Sequence, residues 1–578
     1  MDSISFSEHV VSMRIAIVGG GPSALYLYQT ILAADPSGLE VEIFEASERL
    51  GGGMPYSSAG ANVEHVTNVS ANEIPTLPEP LIEWLHSQPD ESLAIFQIAR
   101  DQLHEYKVLP RLLFGQYLNS QFELLLGRTD NARIKTRCHF RTRVIDMQVN
   151  HAANRISLTL ADGCKKEFDA AIICTGHVWP KSHEAKHSGY YDSPYPPRKL
   201  AGIFNHPIAI RGASLTAIDA IRTLALQHGE FICIDRHKLA YERRHDCDKF
   251  QIVMHSREGF LPGIRFHLED THLGKGSLLS EADLRRHREA NNGFVSLDYL
   301  FEQDFKELFR EPEPSFYKLI KHMSLETFVE TMLIERECTN AFAFFKIEYA
   351  EAMRSIRNKK SIYWKEKLAI LSFAMNHPAK YFSAEDRIRL QKVLMPLISL
   401  VIAFVPQDSC EQLIALHEAG VLQLRAVRND SYVKIDPRGG IIYHYGPNGP
   451  DSNSQNFSTY IDCIGQVPLA FDDFPFESLK VQGAVSPAKL RFRNATAGID
   501  EQSQNNQHVE KLPDGEYALR VPGIAIDDDY RIVGTDGKAT EQIYVMAVPL
   551  IAGHNPDYSG LDFSESAAKR IVKRILNL

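Results

Sequence analysis

The chain has 578 residues and a net charge of −10, with 44% hydrophobic and 24% charged residues. This length predicts about three to four domain equivalents. The composition is that of a globular protein, which excludes a wholly disordered chain and a coiled coil. The mild acidity argues against a dedicated nucleic-acid-binding protein, which would need a basic surface, but it leaves room for a local basic pocket.

Eight cysteines are present, and no two of them form a C-x-x-C pair. A structural zinc site and a redox-active dithiol are therefore not expected, and no metal is predicted. No secretory signal is visible, and the longest apolar run, VLMPLISLVIAFV at 393–405, is too short to cross a bilayer. We expect a cytoplasmic protein that does not bind membranes.

The first motif lies almost at the start of the chain. A short apolar run, Arg14 to Val18, predicts a buried parallel strand, and a helical pattern follows a G-x-G-x-x-A turn. In that turn a first glycine permits the tight bend, a second lets a diphosphate approach the backbone, and a small residue lets the helix pack on the strand. An acid at the end of the next strand can accept from ribose hydroxyls. The residues predicted to bind a dinucleotide here are Gly19, Gly21, Pro22, Ser23, Ala24 and Glu45.

A second glycine-rich turn, Arg49 to Tyr56, follows directly. A loop at this place passes close to the flavin in two-dinucleotide flavoproteins, so Gly52, Gly53 and Met54 favour FAD over NAD as the first cofactor. A plain flexible loop is the alternative interpretation.

A second nucleotide unit is predicted from residue 205 onward. The strand PIAIR precedes a degenerate G-x-S-x-x-A turn in which Gly212, Ser214 and Thr216 are candidate ligands. Ser256 and Arg257 end a later strand and suit the 2′-phosphate of NADPH, because a guanidinium matches phosphate oxygens. Asp235, at the end of FICID, is the competing residue and would favour NADH.

These motifs together resemble the two-dinucleotide-binding flavoproteins, most closely a bacterial FAD/NAD(P)-binding group related to flavin-dependent N-hydroxylating monooxygenases. The resemblance is carried by these segments: GGGPSA with Glu45, GGGMPY, HVTNVSANEIP (65–75), LPRLLFGQYL (109–118), IICTGH (172–177), GASLTAID (212–219), SREGFLP (256–262), IDCIGQVP (461–468) and the late GHNPDYSGLDF.

The resemblance implies roles by position. Asn68 and Arg111 would lie around the flavin, Thr175 and Gly176 would link the two cofactor domains, and Gly560 and Leu561 would face the flavin from the start of the last helix. Two departures weaken the NADPH assignment: Ser214 replaces a glycine, and Glu258 stands where relatives often carry a second basic residue.

The predicted fold is α/β, with two Rossmann-like dinucleotide-binding domains, one for FAD and one for NADPH, plus a mostly helical insertion. The FAD-binding domain is assigned to 1–200 and 468–578, the NAD(P)H-binding domain to 201–270 and 400–467, and the insertion to 271–399. The insertion could cap the flavin and shape a substrate pocket, or equally form a dimer contact.

Three functions are compatible with this arrangement. The first, favoured through the resemblance, is an FAD-dependent, NADPH-using monooxygenase that uses O₂ to oxidise the amine of a small amino-acid-like substrate. The second is an NAD(P)H:acceptor oxidoreductase without oxygen insertion, and the third is a non-catalytic redox sensor. The partners expected are a small-molecule substrate and O₂, with a possible homo-oligomer, and no catalytic acid or base can be named.

Overall fold

The structure is a computed structural model that describes residues 13–128, 133–177, 179, 181–235, 238–268, 277–446, 449, 452–466, 468–557 and 560–578. Its first strands are β1 (Met13–Val18), β2 (Leu39–Phe44), β3 (Val66–Ser70), β4 (Val108–Pro110), β5 (Ile134–His139), β6 (Val144–Asn150), β7 (Arg155–Leu160), β8 (Lys165–Phe168), β9 (Ala170–Ile173), β10 (Tyr190–Tyr191), β11 (Pro207–Arg211) and β12 (Gly229–Asp235). The later strands are β13 (Lys238–Arg243), β14 (Gln251–Ser256), β15 (Leu422–Ala426), β16 (Tyr432–Ile435), β17 (Ile441–Tyr445), β18 (Asn453–Phe457), β19 (Thr459–Asp462), β20 (Pro487–Arg491), β21 (Val509–Lys511), β22 (Tyr517–Ile524), β23 (Arg531–Val533) and β24 (Ala539–Val545).

The helices before residue 340 are α1 (Pro22–Ala34), α2 (Leu81–Ser87), α3 (Asp90–Ala94), α4 (Arg111–Gly127), α5 (Leu215–His228), α6 (Glu281–Ala290), α7 (Leu297–Gln303), α8 (Pro314–Ile320) and α9 (Leu325–Cys338). The remaining helices are α10 (Ala341–Asn358), α11 (Tyr363–Ala374), α12 (Ala384–Arg389), α13 (Met395–Val401), α14 (Gln407–Glu418), α15 (Glu477–Val481), α16 (Ala495–Ser503), α17 (Val548–Ile551) and α18 (Gly560–Ile575).

Two parallel sheets organise the molecule. The first has the strand order β23-β24-β9-β1-β2-β5, and the second the order β10-β19-β11-β14-β15. Every pairing in both sheets is parallel except that of the edge strand β23 with β24. The central strands are apolar on both faces, as the runs RIAIV and PIAIR predict, because both faces are covered. Helices, α1 in the first unit and α5 in the second, pack on one face. A three-stranded antiparallel sheet, β6-β7-β8 or β16-β17-β18, packs on the other.

The strand order places the cofactor sites. In each sheet the first strand of the unit, β1 or β11, lies between the strand that follows it in that sheet, β2 or β14, and a strand that returns much later in the chain, β9 or β19. Ligands of doubly wound sheets bind at this switch point, beyond the carboxyl ends of the strands. The predicted α/β fold with two Rossmann-like units is confirmed.

Helices α6 to α9 and α11 to α13 pack around an apolar core of their own, which confirms the predicted helical insertion. The assigned boundaries differ from the packing in two respects. Helix α10 lies within the insertion, but Phe342, Phe345 and Ala352 belong to the core of the second unit. Residues of the three-stranded sheet β20-β22-β21, among them Leu490 and Val521, belong to the core of this module. These residues were assigned to the FAD-binding domain from their place in the sequence, because the local sequence pattern does not indicate which core the apolar face of this sheet joins.

Among the described residues, the structure contains no helix with the length and apolar character needed to span a lipid bilayer.

Candidate functional site

The first glycine turn joins β1 to α1 in a conformation that requires glycine. Gly19 has φ of +103°, and a Cβ there would lie 2.6 Å from the carbonyl oxygen of Cys174, at the end of β9. Its amide donates to the carbonyl of Phe44 at 2.8 Å. Gly19 therefore lies between two strands with no space for a side chain, as the motif predicts.

Gly21 differs, because the space beside it is open. A Cβ at Gly21 would meet no atom nearer than Cα of Gly53, at 3.5 Å, which is an ordinary contact. Gly21 is the N-cap residue of α1 and makes no side-chain cap, and Pro22 occupies the first turn. The first-turn amides of α1 thus lack a side-chain acceptor, which is the arrangement that binds a phosphate group.

Glu45 directly follows β2, at the position predicted for the residue that binds the ribose. Its carboxylate accepts from the amides of Gly20 at 2.7 Å and Ser47 at 2.6 Å. Ala24 is fully buried, so α1 packs closely on the sheet. The hydroxyl of Ser23 lies 3.3 Å from that of Ser564 in α18, which brings the start of the last helix beside the first turn.

The second glycine loop is tied directly to the first. The amide of Gly51 donates to the carbonyl of Gly20 at 2.7 Å, and the amide of Gly52 donates to the side chain of Asn119 at 3.0 Å. The loop therefore lies over the phosphate turn, with Gly53 facing Gly21. These contacts support the placement of this loop at the first cofactor.

The second unit repeats the geometry of the first. Gly212 has φ of +109°, and its Cβ would lie 2.6 Å from the carbonyl oxygen of Cys463. Its amide donates to the backbone carbonyl of His255 at 2.8 Å, just as the amide of Gly19 donates to the carbonyl of Phe44. Ser214 is the N-cap residue of α5 and forms no side-chain cap, so the first-turn amides of α5 also lack a side-chain acceptor. Thr216 lies in the first turn of α5, and its hydroxyl would lie 3.8 Å from a Cβ at Gly465.

This repeat fixes which residue corresponds to Glu45. The backbone carbonyls of Phe44 and His255 accept from Gly19 and Gly212 in the same way. Ser256, which follows His255, therefore corresponds to Glu45, which follows Phe44. The Ser256 hydroxyl is buried and has no hydrogen-bond partner among the described residues. Arg257 follows it and is exposed. Asp235 ends β12, which pairs with β13 in a two-stranded hairpin outside the parallel sheet.

The two units meet at equivalent positions. After β9 the chain continues through Thr175 and Gly176 to His177. The equivalent segment of the second unit, after β19, leads to Gln466. The imidazole Nδ1 of His177 is hydrogen-bonded to the amide oxygen of Gln466. The amide nitrogen of Gln466 is buried and without a partner among the described residues. Gln466 was not predicted as a site residue, although the similarity of CTGH (174–177) to CIGQ (463–466) was a usable signal.

Arg111 and Asn68 lie at the interface between the two units. The Arg111 guanidinium donates to the carboxylate of Asp219 in α5 at 2.6 Å, and the hydroxyl of Tyr195 donates to the same oxygen at 2.7 Å. The backbone carbonyl of Asn68 accepts from Arg265 at 2.5 Å. A flavin contact for Arg111 or Asn68 remains a prediction, while their contacts with the second unit are direct.

A second ion pair crosses the same interface. The guanidinium of Arg265, which follows β14, also donates to Ser70 at 2.7 Å and forms an ion pair with Glu73. Burial lowers the pKa of Arg265 to about 10. The two ion pairs therefore connect the first unit to the second through largely buried charges.

The start of α18 carries a titratable group that the sequence did not single out. Burial, assisted by Glu565, raises the pKa of Asp562 to about 7. Asp562 follows Gly560 and Leu561, which the resemblance places at the flavin. Tyr558 and Ser559 of the same motif lie outside the described residues. Carboxylates with such raised pKa values are concentrated at functional sites.

A cavity of about 170 Å³ lies beside the junction of the two units. Met54 of the second glycine loop forms one wall, and residues of the 179–199 segment form the others, including Trp179 and Tyr195. The Trp179 ring lies 5.7 Å from the His177 ring and 5.3 Å from the Tyr195 ring, measured between centroids. The cavity thus combines an aromatic wall with a residue of the predicted flavin loop.

Comparison with known proteins agrees with this geometry. A family described as "FAD-NAD(P)-binding" matches residues 16–178. For this part of the chain the match bears out the predicted resemblance to FAD/NAD(P)-binding flavoproteins, with FAD and NAD(P)H as the cofactor types. A second family, "YdhS-like middle domain", matches residues 280–402. The uncharacterized protein YdhS of Escherichia coli K12 is 29% identical over 474 residues, which cover 81% of this chain and 86% of that protein.

Several solved structures are similar at low identity. The FAD-bound cadaverine monooxygenase DfoA of Erwinia amylovora is 11% identical, with 98% of this chain and 94% of that chain covered and a TM-score of 0.45. Cyclohexanone monooxygenase of Rhodococcus sp. Phi1, bound to NADP⁺, is 9% identical, with coverage of 78% and 70% and a TM-score of 0.36. Lactococcus lactis thioredoxin reductase is 9% identical, with coverage of 98% and 100% and a TM-score of 0.40. Scores this low carry no inference about the reaction.

Proposed function

We propose that this protein is an FAD-dependent, NADPH-using oxidoreductase, and that it acts as a monooxygenase on the amine of a small amino-acid-like substrate. The observation that carries the proposal is the repeated glycine turn. Two turns of the same geometry sit at the carboxyl ends of two parallel sheets, and their neighbouring segments meet through His177 and Gln466. Two dinucleotides held in this way would bring a flavin and a nicotinamide together.

The residues proposed for each cofactor fit a dinucleotide. Gly19, Gly21 and Glu45 would hold the diphosphate and ribose of FAD, with α1 directing its first-turn amides at the phosphates. Bound FAD supplies two-electron chemistry and the activation of O₂. The protein's own contribution is position, charge and the exclusion of water. The cavity walled by Met54, Trp179 and Tyr195 is proposed to receive the nicotinamide end of NADPH.

The helical module supports oxygen chemistry, because it closes over the segment that leads into α18. The amide of Asp557 donates to the side chain of Asn376 at 2.9 Å, and the hydroxyl of Ser372 donates to the Asp557 carboxylate at 2.8 Å. Both partners belong to, or directly follow, α11. A cap of this kind would exclude water from the flavin edge, as a monooxygenase needs. The amine as the oxidised group is what the resemblance implies.

The deciding experiment measures NADPH oxidation, O₂ consumption and H₂O₂ release together, over a panel of amino acids and polyamines. We expect FAD to copurify with the protein, and one class of amine to increase NADPH oxidation while H₂O₂ release falls. NADPH oxidation that continues without O₂ when a quinone is supplied would establish an acceptor reductase instead. A protein that binds neither FAD nor NADPH would contradict the proposal as a whole.

NADPH is proposed over NADH because Ser256 occupies the position that Glu45 has in the first unit. A carboxylate there would repel a 2′-phosphate, whereas a free hydroxyl beside Arg257 can donate to it. We expect Arg257→Ala to raise the KM for NADPH by roughly 10- to 100-fold, the usual loss for a charged hydrogen-bond donor, and to leave the KM for NADH nearly unchanged. Steady-state kinetics with both nucleotides measure this.

Asp235→Ala is the matched control, since Asp235 lies in the hairpin outside the parallel sheet. It should leave both KM values unchanged. An increase in the KM for NADH in Asp235→Ala, with no effect of Arg257→Ala on either nucleotide, would transfer the ribose site to Asp235.

A further inference from the structure

Arg387, in α12 of the helical module, is buried and has no counterion in the part of the chain that the structure describes. Only 3% of its surface is exposed, and one of its nitrogens donates to the carbonyl of Ala552 at 3.3 Å. Its Nε and second terminal nitrogen are buried and have no hydrogen-bond partner among the described residues. No carboxylate in the described ranges forms an ion pair with it. Burial lowers its pKa to about 10, so the group stays charged at neutral pH.

The other buried arginines among the described residues have carboxylates close to them. Arg265 is paired with Glu73 and Arg336 with Glu348, as the largely buried Arg111 is with Asp219. Arg222 donates to Gln412 and faces the charges of Asp219, Asp408 and Glu64. A buried cation with no partner costs several kcal/mol unless a ligand supplies the missing charge. Arg387 therefore differs from these arginines because it lacks a nearby negative charge, which an anionic ligand would provide.

His554 adds a second donor beside it. The Nδ1 atom accepts from the amide of Ile526 at 3.4 Å, which leaves the proton of the neutral ring on Nε2. Burial, together with the charges of Lys380 and Arg387, lowers the pKa of His554 to about 3. The backbone of Lys489 offsets this in part, although Nε2 forms no hydrogen bond of normal geometry in the described structure. Among the described residues, two guanidinium nitrogens of Arg387 thus lack acceptors, and the imidazole N–H of His554 has only the weak contact with the Lys489 backbone.

The position of these donors links them to the proposed active site. Ala552 and His554 lie on the segment that leads into α18, whose first residues are predicted to face the flavin. The same segment is held at Asp557 by Ser372 and Asn376. The donors come partly from the helical module and partly from the FAD-binding part, so a ligand between them would bridge the cap and the cofactor domain.

We propose that Arg387, with His554 beside it, is the receptor for a carboxylate group of the substrate. The inference rests on the proposed function, because the carboxylate would anchor a small amino-acid-like molecule while its amine faces the flavin. A substrate carboxylate and the flavin ring can both present a planar, negatively charged oxygen group to Arg387. The experiment therefore distinguishes binding of a substrate carboxylate from binding of the flavin.

The test uses the FAD-loaded protein and four probes: acetate, succinate, glutarate and the uncharged succinamide. We expect at least one of the three carboxylates to raise the Tm and shift the visible flavin spectrum, and succinamide to do neither. Arg387→Met should raise the Tm without added anion, because it removes an uncompensated buried charge. The same variant should weaken carboxylate binding by roughly 10- to 100-fold, as expected for loss of a charged donor.

Arg389→Met is the matched control on the same helix, since the Arg389 guanidinium is already paired with Asp298 and Glu326. It should leave the carboxylate response unchanged. An equal response to succinamide, no response to any carboxylate, or an unaltered response in Arg387→Met would overturn the proposal. Loss of FAD from Arg387→Met, with no carboxylate effect on the wild type, would overturn it by assigning Arg387 to the flavin. If NADPH fails to reduce the flavin while Arg387→Met still abolishes carboxylate binding, the proposed function fails and the anion site stands.

Discussion

Gly21→Ala is expected to yield a folded protein that has lost its FAD. A Cβ at Gly21 would make only an ordinary contact with Gly53, at 3.5 Å, and its φ of −79° suits alanine. The methyl group would instead occupy space through which the diphosphate approaches the backbone. We expect the FAD affinity to fall roughly 100-fold, or about 3 kcal/mol, with the apoprotein Tm unchanged. The 450 nm absorbance after gel filtration and an apoprotein melting curve measure both quantities.

Two further glycine variants make this result specific. Gly127→Ala, at the end of α4, has no atom within 4 Å of the new Cβ and should retain both FAD and Tm. Gly19→Ala should lose the fold rather than the cofactor alone, because its Cβ would lie 2.6 Å from the Cys174 carbonyl at a φ of +103°. Full retention of FAD in Gly21→Ala would contradict the assignment of this turn to the diphosphate.

The second large effect is expected at the interface between the two cofactor units. Asp219 accepts from Arg111 and Tyr195, and its charge also faces Arg222. Its carboxyl pKa is lowered because these cations outweigh the effect of burial. Asp219→Ala would leave Arg111 buried beside Arg222, at a cost of about 3–5 kcal/mol in the free energy of unfolding. Denaturation monitored by circular dichroism and by flavin fluorescence measures this loss.

The double variant Arg111→Met/Asp219→Leu tests the cause. With both charges removed, the stability should return most of the way to that of the wild type, because apolar residues of similar volume replace a buried ion pair at little cost. Asp298→Ala is the exposed counterpart, since it breaks a surface pair with Arg389, and it should cost about 0–1 kcal/mol. A double variant no more stable than Asp219→Ala alone would show that the unpaired charge of Arg111 is not the cause of the lost stability.

The interface also bears on function, because it sets the distance over which a hydride would travel. His65 contributes to it through Nε2, which lies 2.9 Å from the hydroxyl of Thr223 in α5. Loss of the Asp219 contacts should therefore slow the reduction of FAD by NADPH as well as lower stability. Surface variants such as Asp298→Ala should leave the reduction rate unchanged.

Local motifs predicted the cofactor turns, and tertiary packing decided most of the remaining site. Gly19, Gly21 and Glu45 could be identified because their requirements lie within one strand–turn–helix unit. The choice between Arg257 and Asp235 could not be made in the same way. It depends on β14, and not β12, pairing with β11, which is a long-range pairing.

Arg111 shows a different limit of sequence reasoning. Its segment was identified as part of the flavoprotein pattern, and the structure shows that its guanidinium forms an ion pair with Asp219, 108 residues later in the chain. Gln466 and Arg387 were not singled out, because a lone glutamine or arginine carries no local pattern. Their significance comes from burial and from missing partners, which exist only in the folded chain.

By itself the sequence determined the two glycine turns, the helical character of the insertion and the α/β class. These depend on periodicity and on backbone conformations that particular residues permit over a few positions. Only the tertiary structure decided how the two units face each other, which core the β20–β22 sheet joins and which buried cations lack a counterion. Those outcomes depend on contacts between segments hundreds of residues apart, where packing and desolvation, and not local preference, select the arrangement.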